Sequence, residues 1–124
     1  MYSRSEWTAF TLRVQVNLDG YALPIKKLKG TEPVESLDLS GKNLRVASAI
    51  VIASLISVNG GLTDLDLSSN NLKDEGVSAV CKAIQSNKET ELASLKFENN
   101  KIGPVGANAV AAMVAATGSL TEVR

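Results

Sequence analysis

The sequence contains no histidine and only one cysteine, Cys81. Without histidine, the chain lacks the commonest general base and the commonest metal ligand. A single cysteine can form neither a disulfide within the chain nor a zinc-binding cluster. We therefore predict no metal site, and nothing in the composition points to a cofactor.

The chain also lacks a charge bias and a long apolar run. Acidic and basic residues number 13 each, whereas nucleic-acid-binding domains carry a basic excess. The most apolar stretch, residues 46–58, is far shorter than the roughly 20 residues that cross a bilayer. The N-terminus has no basic start followed by an apolar core, so no signal peptide is visible. We predict a soluble intracellular protein, in the cytoplasm or an organelle interior, that neither binds nucleic acid nor inserts into a membrane.

What the chain does contain is one pattern written three times: VESLDLSGKNL from Val34, LTDLDLSSNNL from Leu62 and LASLKFENNKI from Leu92. A fourth copy starts at Leu120 and stops at Arg124. The starts are 28, 30 and 28 residues apart. Recurrence at a fixed period of this length predicts a stacked-repeat solenoid, an architecture that mostly provides surfaces for binding.

Each repeat combines a strand with a helix. The alternating Leu-x-Leu segment has the period of two that is typical of a strand. After Asp74, which we predict as the N-cap, apolar residues recur at helical spacings of three and four. The predicted inward stripes are Val77, Val80, Cys81 and Ile84 in the second repeat, Ala49, Ile52, Ala53 and Ile56 in the first, and Ala107, Val110, Ala111 and Val114 in the third.

The pattern L-x-x-L-x-L-x-x-N-x-L, followed by a helix at a period near 28, resembles the leucine-rich repeat. The long helix is similar to that of the ribonuclease-inhibitor-like class, and the resemblance covers residues 34–124. It implies a right-handed α/β solenoid, a short horseshoe arc with parallel strands on the concave side and helices on the convex side. It also implies that Asn70 and Asn100 belong to a ladder of asparagines, in which Lys42 replaces the first member.

The repeats suggest a division of the chain into a cap and a repeat array. We predict that residues 1–33 form an N-terminal cap with a degenerate first strand, because Leu12, Val14 and Asn17 match the pattern while Pro24 and Pro33 disfavour a full helix. Aromatic residues would cover the open apolar end of the stack there, namely Tyr2, Trp7, Phe10 and Tyr21. The predicted repeats span 34–61, 62–91, 92–119 and the truncated 120–124. The missing cover for the last strand would come either from a longer array or from another chain.

The residues between the strand leucines point away from the core and form the candidate concave surface. They give an acidic centre with basic residues toward both sides, and Asp66 faces Lys96 across neighbouring strands. Two interpretations stay open: a self-compensating solvated face, and a docking site for a basic partner segment. The candidate residues are Arg13, Asp38, Asp64, Asp66, Lys96, Glu98, Glu122 and Arg124.

The outer faces of the first and third helices carry few charges, which is typical of a contact surface. The candidate convex residues are Ile50, Val51, Ala109 and Ala112. The alternative interpretation is that the N-terminal cap folds over Ile50 and Val51.

These patterns together predict a non-catalytic protein–protein interaction module, an adaptor or scaffold whose partner is a protein of unknown identity. We expect no enzymatic activity, because a gently curved sheet offers no water-excluding cleft for its carboxylates. Two alternatives remain: a structural subunit packed into a larger assembly, and a regulator of an enzyme such as a small GTPase. The last would need an arginine supplied to a phosphate site, for which the sequence offers Arg13, Arg45 and Arg124.

Overall fold

The computed structural model describes residues 17–18 and 20–124. Its main sheet has four parallel strands in chain order: β3 (Ser36–Asp38), β4 (Asp64–Asp66), β5 (Ser94–Lys96) and β6 (Glu122–Val123). Helices return the chain between these strands: α2 (Val46–Ile56), α3 (Lys73–Ser86) and α4 (Pro104–Ala116). An antiparallel pair and a short helix precede the sheet: β1 (Asn17–Leu18), β2 (Tyr21–Ala22) and α1 (Ile25–Lys29). The predicted α/β solenoid, with strands on one side and helices on the other, is confirmed.

The core lies between the sheet and the helices. Leu37, Leu65 and Leu95 occupy the same register position on adjacent strands and are all buried. The helices add their inward stripes, including Ile52 and Val80, which are also buried. Burying one such side chain stabilises the fold by about 1.5–3 kcal/mol. Because the same positions are apolar in each repeat, each repeat supplies the surface on which its neighbour stacks.

Glycine allows the helices to approach closely. A Cβ atom on Gly76 of α3 would lie 2.9 Å from the Cβ of Ala49 in α2 and 3.1 Å from that of Leu72. A Cβ on Gly106 of α4 would lie 2.7 Å from Oδ1 of Asp74 and 2.8 Å from Cγ2 of Ile102. The closest contact at each position, 2.9 Å at Gly76 and 2.7 Å at Gly106, is shorter than Cβ atoms make in folded proteins. Gly76 and Gly106 therefore set the spacing at which successive repeats stack.

The segment before β3 differs from the repeats, in keeping with its two prolines. The only helix described between Pro24 and Pro33 is α1, which has five residues and ends at Gly30 in the left-handed conformation, with φ of 93°. Tyr21 is half-buried and packs against the core, and Nζ of Lys42 lies 5.5 Å from the centre of its ring. Asn17 starts β1, which pairs with β2 in an antiparallel manner. The other predicted cap residues, Leu12, Val14, Tyr2, Trp7 and Phe10, lie outside the described residues.

One predicted helix cap is wrong. Asp74 is not the N-cap of its own helix, because α3 starts at Lys73 and the capping position is Leu72. The Asp74 carboxylate instead accepts a hydrogen bond from the backbone N–H of Gly103, the residue before α4. Asp74 thus satisfies one of the N–H groups that the next helix leaves without a partner at its start.

The predicted inward stripe of α4 is also largely wrong. Ala107, Ala111 and Val114 are exposed and Val110 is half-buried, whereas Met113 is buried. The corresponding residues of α2 and α3 are covered because another helix follows each of them in the stack. No helix of the described residues packs over the far side of α4. Among the described residues, no helix is long and apolar enough to cross a membrane.

Candidate protein-binding faces

One row of charged side chains crosses the concave face of the sheet. The strand register places Asp38 beside Asp66 and Asp66 beside Lys96. Arg124 continues the row, because its N–H donates to the carbonyl of Leu95 and its own carbonyl accepts from the N–H of Phe97. We call these four residues the charge row: Asp38, Asp66, Lys96 and Arg124. Neighbouring strands are about 4.8 Å apart, so the side chains of adjacent members lie within reach of one ligand group.

The two carboxylates of the charge row are held in place by serines two residues further on. The Ser40 hydroxyl and N–H donate to Oδ1 of Asp38 at 2.5 and 3.0 Å, and the Ser68 hydroxyl and N–H donate to Oδ1 of Asp66 at 2.6 and 2.9 Å. The hydroxyl bond, then the backbone bond, holds the pKa of Asp38 below its ordinary value of 3.8, with further lowering by Lys42 and Lys96. Each aspartate keeps its second oxygen, Oδ2, for another partner.

Asp64 joins the two aspartates of the charge row to form the acidic centre, which we define as Asp38, Asp64 and Asp66. Asp38 and Asp64 are exposed and Asp66 is half-buried. Within the part of the chain that the structure describes, none of the three forms an ion pair. A shallow depression of about 380 Å³ lies over them, bordered also by Ser36, Ser94 and Lys96. The depression is open to solvent, and its three carboxylates outnumber the single ammonium group of Lys96, which suits a cationic group from another molecule.

The basic half of the concave face is partly neutralised from within. Nε of Arg124 lies 3.4 Å from Oε1 of Glu122, two residues earlier, and both side chains are well exposed. Lys96 is half-buried, and Glu98 is exposed beyond it. The structure thus brings Asp38, Asp64 and Asp66 together and places Lys96 and Arg124 next to them. Arg13, the remaining predicted concave residue, lies outside the described residues.

An asparagine ladder supports the loops after the strands. The side-chain N–H groups of Asn70 donate to the carbonyls of Leu39 and Leu67, and its Oδ1 accepts from the N–H groups of Lys42 and Leu44 in the preceding repeat. Asn100 repeats this arrangement one strand further on. Asn70 therefore supports the first repeat from its neighbour, which explains why Lys42 can replace the expected asparagine there.

A second ladder, which the sequence analysis missed, supports the loops before the strands. Asn59 donates to the carbonyls of Lys27 and Leu28, and Asn87 donates to those of Ile56 and Asn59. The next position in the series is Thr117, which is buried and whose hydroxyl has no hydrogen-bond partner. The 28-residue spacing of Asn59 and Asn87 is the signal that could have revealed it. Together the two ladders support the loops that flank β3, β4 and β5.

The convex face is less uniform than predicted. Ile50 is 55% exposed and Ala112 is exposed, whereas Val51 and Ala109 are half-buried and pack against the core. Val105, which was not predicted, is 66% exposed at the start of α4. Charged residues of α3, including Glu75 and Lys82, lie between the helices that carry these apolar side chains. The convex candidates thus form separate small patches.

Two kinds of reactive site can be checked directly, a metal cluster and a reactive thiol. No group of three or more Cys, Asp or Glu side chains is placed to hold a metal ion within residues 17–18 and 20–124. Cys81 is fully buried on the inward stripe of α3, and burial raises the pKa of its thiol from 9.0 to about 12. Such a thiol is protonated and unreactive at neutral pH.

Comparisons with known proteins agree with this architecture. A family model for the leucine-rich repeat matches residues 62–81. The chain is 31% identical over 86 residues to RAN GTPase-activating protein 2 of Arabidopsis thaliana and 32% identical over 90 residues to the ribonuclease inhibitor of Mus musculus. These alignments cover 69% and 73% of the chain, but the chain spans only 16% and 20% of the length of the two relatives. A solved structure of leiomodin-1 actin-binding site 2 superposes with a TM-score of 0.65 at 19% identity, covering 81% of this chain and 75% of that one.

The fold and its surfaces define a repeat protein whose regular strands and helices build an extended surface. The chain is a leucine-rich-repeat protein, and its repeats are of the ribonuclease-inhibitor-like class. Leucine-rich-repeat proteins are generally non-catalytic and interact with other proteins. Membership of this family therefore supports the general prediction of a protein-interaction module.

Proposed function

We propose that this chain is a non-catalytic interaction module that binds an extended, basic segment of a protein partner on its concave face. The observation that carries the proposal is the acidic centre. Asp38, Asp64 and Asp66 lie on adjacent strands, and no described residue forms an ion pair with any of them. Because this face of the sheet is open to solvent, the three carboxylates are complementary to a cationic segment of a partner.

Physical chemistry favours an intermolecular cation at this position. Like charges directly opposite each other on neighbouring strands are destabilising, and Asp38 and Asp66 are such a pair. Their hydrogen bonds to Ser40 and Ser68 fix the carboxylates without neutralising them. A lysine or arginine placed between the two carboxylates would relieve their repulsion, and the attraction would speed the encounter at low salt.

The test compares two variants of equal net charge. The first carries Asp38→Asn, Asp64→Asn and Asp66→Asn, and the second carries Glu35→Gln, Glu89→Gln and Glu91→Gln at exposed positions outside the concave face. The probe is a fluorescein-labelled peptide of four arginines separated by glycines, titrated by fluorescence anisotropy. We expect the first variant to lose at least tenfold in affinity and the second to match the unmodified chain. Equal losses of affinity in both variants, or no binding of the peptide to the unmodified chain, would reject the proposal.

A second candidate function is regulation of a small GTPase. It rests on the 31% identity to RAN GTPase-activating protein 2. The test is single-turnover GTP hydrolysis by Ran with and without the chain, together with Arg45→Ala and Arg124→Ala variants. An arginine that stabilises the transferring phosphoryl group accelerates hydrolysis by 10³ or more, so a rate within twofold of the unstimulated rate rejects this candidate.

Assembly into a larger complex is supported by the exposed apolar residues of the convex face. Ile50 and Val105 are each more than half exposed on different helices. Changing both to lysine should release the chain from a large complex isolated from its native source, as seen by gel filtration. A control that changes Ser54 and Gln85, which are exposed and polar, should leave the complex intact.

A further inference from the structure

The charge row contains two basic residues beside its two aspartates, and their order gives the concave face a polarity. Along the strand order β3 to β6, the row reads acid, acid, base, base, from Asp38 and Asp66 to Lys96 and Arg124. The four residues occupy equivalent positions of successive repeats, so their side chains project from the same line across the sheet. The row is therefore a dipolar surface, and the direction of its polarity is fixed by the register.

Three of the four side chains of the charge row contact a neighbouring residue. Ser40 and Ser68 hold the two aspartates from one side. Glu122 lies against Arg124 at 3.4 Å. A ligand that meets Asp38 and Asp66 finds carboxylates that are already in place, so less side-chain freedom is lost on binding there.

A purely basic segment matches only half of this surface. A cation that sits between Asp38 and Asp66 is attracted, but a second cation two strands further on meets Lys96 and Arg124. Like charges that face each other lower affinity and exclude partners. A segment that places an acid over Lys96 and Arg124 satisfies both halves.

The spacing of the strands sets the spacing of the partner's charges. The midpoint between Asp38 and Asp66 is two strands away from the midpoint between Lys96 and Arg124, which is about 10 Å. An extended chain covers this distance in about three residues. In a polyproline II segment, residues i and i+3 also point to the same side and are about 9 Å apart.

We infer that the partner segment is extended and bipolar, with a lysine or arginine over β3 and β4 and a glutamate or aspartate about three residues away over β5 and β6. The inference rests on the proposed function, because it specifies the ligand of the same concave face. It makes the basic residues Lys96 and Arg124 determinants of specificity: they weaken, without abolishing, the binding of segments that are basic throughout.

The test uses four peptides with blocked ends and identical flanks, whose cores are Arg-Pro-Pro-Glu, Arg-Pro-Pro-Arg, Arg-Pro-Pro-Gln and Glu-Pro-Pro-Glu. Each is titrated into ¹⁵N-labelled protein, and amide shifts of the strands report affinity and position. We expect Arg-Pro-Pro-Glu to bind about two- to fivefold more tightly than Arg-Pro-Pro-Gln, as one exposed charge pair provides. Arg-Pro-Pro-Arg should bind more weakly than Arg-Pro-Pro-Glu, and raising the salt concentration should remove both differences.

A matched pair of variants assigns the effect to the basic half. Lys96→Gln should reduce the preference for Glu over Gln in the peptide, because only Arg124 then remains in the basic half, whereas Lys88→Gln, at an exposed loop position, should preserve it. If Arg-Pro-Pro-Arg binds as tightly as Arg-Pro-Pro-Glu, the bipolar inference is overturned while the proposed function stands. If none of the peptides binds, and the variant with Asn at positions 38, 64 and 66 binds the arginine probe as the unmodified chain does, both the inference and the proposed function are rejected.

The same charge order is complementary to itself when reversed, so a second copy of the chain is the competing occupant. Two sheets facing each other with reversed strand order would place Asp38 over Arg124 and Asp66 over Lys96. Sedimentation over a hundredfold range of concentration distinguishes this case. A constant monomer mass supports the inference, whereas a dimer that Lys96→Glu dissociates, and that the peptides do not displace, overturns it.

Discussion

The carboxylate of Asp74, in the first turn of α3, accepts a hydrogen bond from the backbone N–H of Gly103, which precedes α4. A Cβ on Gly106 in the first turn of α4 would lie only 2.7 Å from Oδ1 of the same aspartate. The capping group of one helix is thus supplied by the helix of the preceding repeat. Because no side chain of its own caps α4, this contact couples the ends of two repeats.

We predict that Asp74→Ala lowers the free energy of unfolding by about 1–2 kcal/mol, as the loss of a helix cap does. Asp74→Asn should lower it less, because the amide oxygen can still accept the bond from Gly103. Urea denaturation followed by circular dichroism measures both. The control is Glu75→Ala, which removes an exposed acid from the same helical turn. An equal loss for Glu75→Ala would show that the helix dipole, not the cap, accounts for the effect.

The second asparagine ladder predicts a stabilising substitution. Asn59 and Asn87 each donate to carbonyls of the preceding repeat, whereas Thr117 at the next position leaves a buried hydroxyl without a partner. Thr117→Asn should extend the ladder and raise the free energy of unfolding by about 1 kcal/mol per hydrogen bond gained.

Thr117→Val is the control for that substitution, since it removes the unpaired hydroxyl at nearly constant volume. It should be neutral or slightly stabilising, because it makes no new hydrogen bond. If Thr117→Asn is no more stable than Thr117→Val in urea, the ladder does not extend to this position.

Close helix packing predicts that Gly76→Ala destabilises the chain even though alanine is the better helix former. Alanine would contribute about 1 kcal/mol to an exposed helix, but its Cβ here would lie 2.9 Å from that of Ala49. Ala49 is buried and cannot move its Cβ without moving α2, and overpacking of this kind costs about 1–3 kcal/mol. Ser54→Ala, at an exposed position of α2, should be neutral or stabilising. Equal thermal midpoints for the two variants would show that the repeats shift apart easily.

The repeat period determines most of this fold. The repeat length and the Leu-x-Leu alternation sufficed for the strands, the helices and the pairing of Asp66 with Lys96. The role of Asp74 could not be predicted, because its partner Gly103 is 29 residues away and is recognised only by its backbone. The exposure of Val114 could not be predicted either. Its stripe has the same pattern as those of α2 and α3, and burial depends on whether another helix covers it.

The hydrogen bonds of Asp38 predict a dependence on pH. The Ser40 hydroxyl, the largest contributor, holds the pKa of Asp38 below 3.8, so the ionised carboxylate is favoured in the folded state. Its contribution to stability is present above pH 3.8 and is lost as the pH falls through the lower folded-state value. In Ser40→Ala, the pKa of Asp38 should rise toward 3.8, as measured by NMR titration of the carboxyl carbon. Ser36→Ala, at an exposed position of the same strand, should leave it unchanged.

Burial of Cys81 predicts that its thiol reacts only when the chain opens. The side chain is fully buried and the pKa of its thiol is raised to about 12, so almost no thiolate exists at pH 8. A chromogenic disulfide reagent should not react with the native chain over minutes and should react with one equivalent of thiol in denaturant. The control is Cys81→Ala combined with Lys82→Cys, which moves the thiol to an exposed position one residue along α3 and should react at once. Reaction of native Cys81 at a comparable rate would mean that α3 separates from the sheet readily, because the thiolate can form only after this helix has exposed its inward face to water.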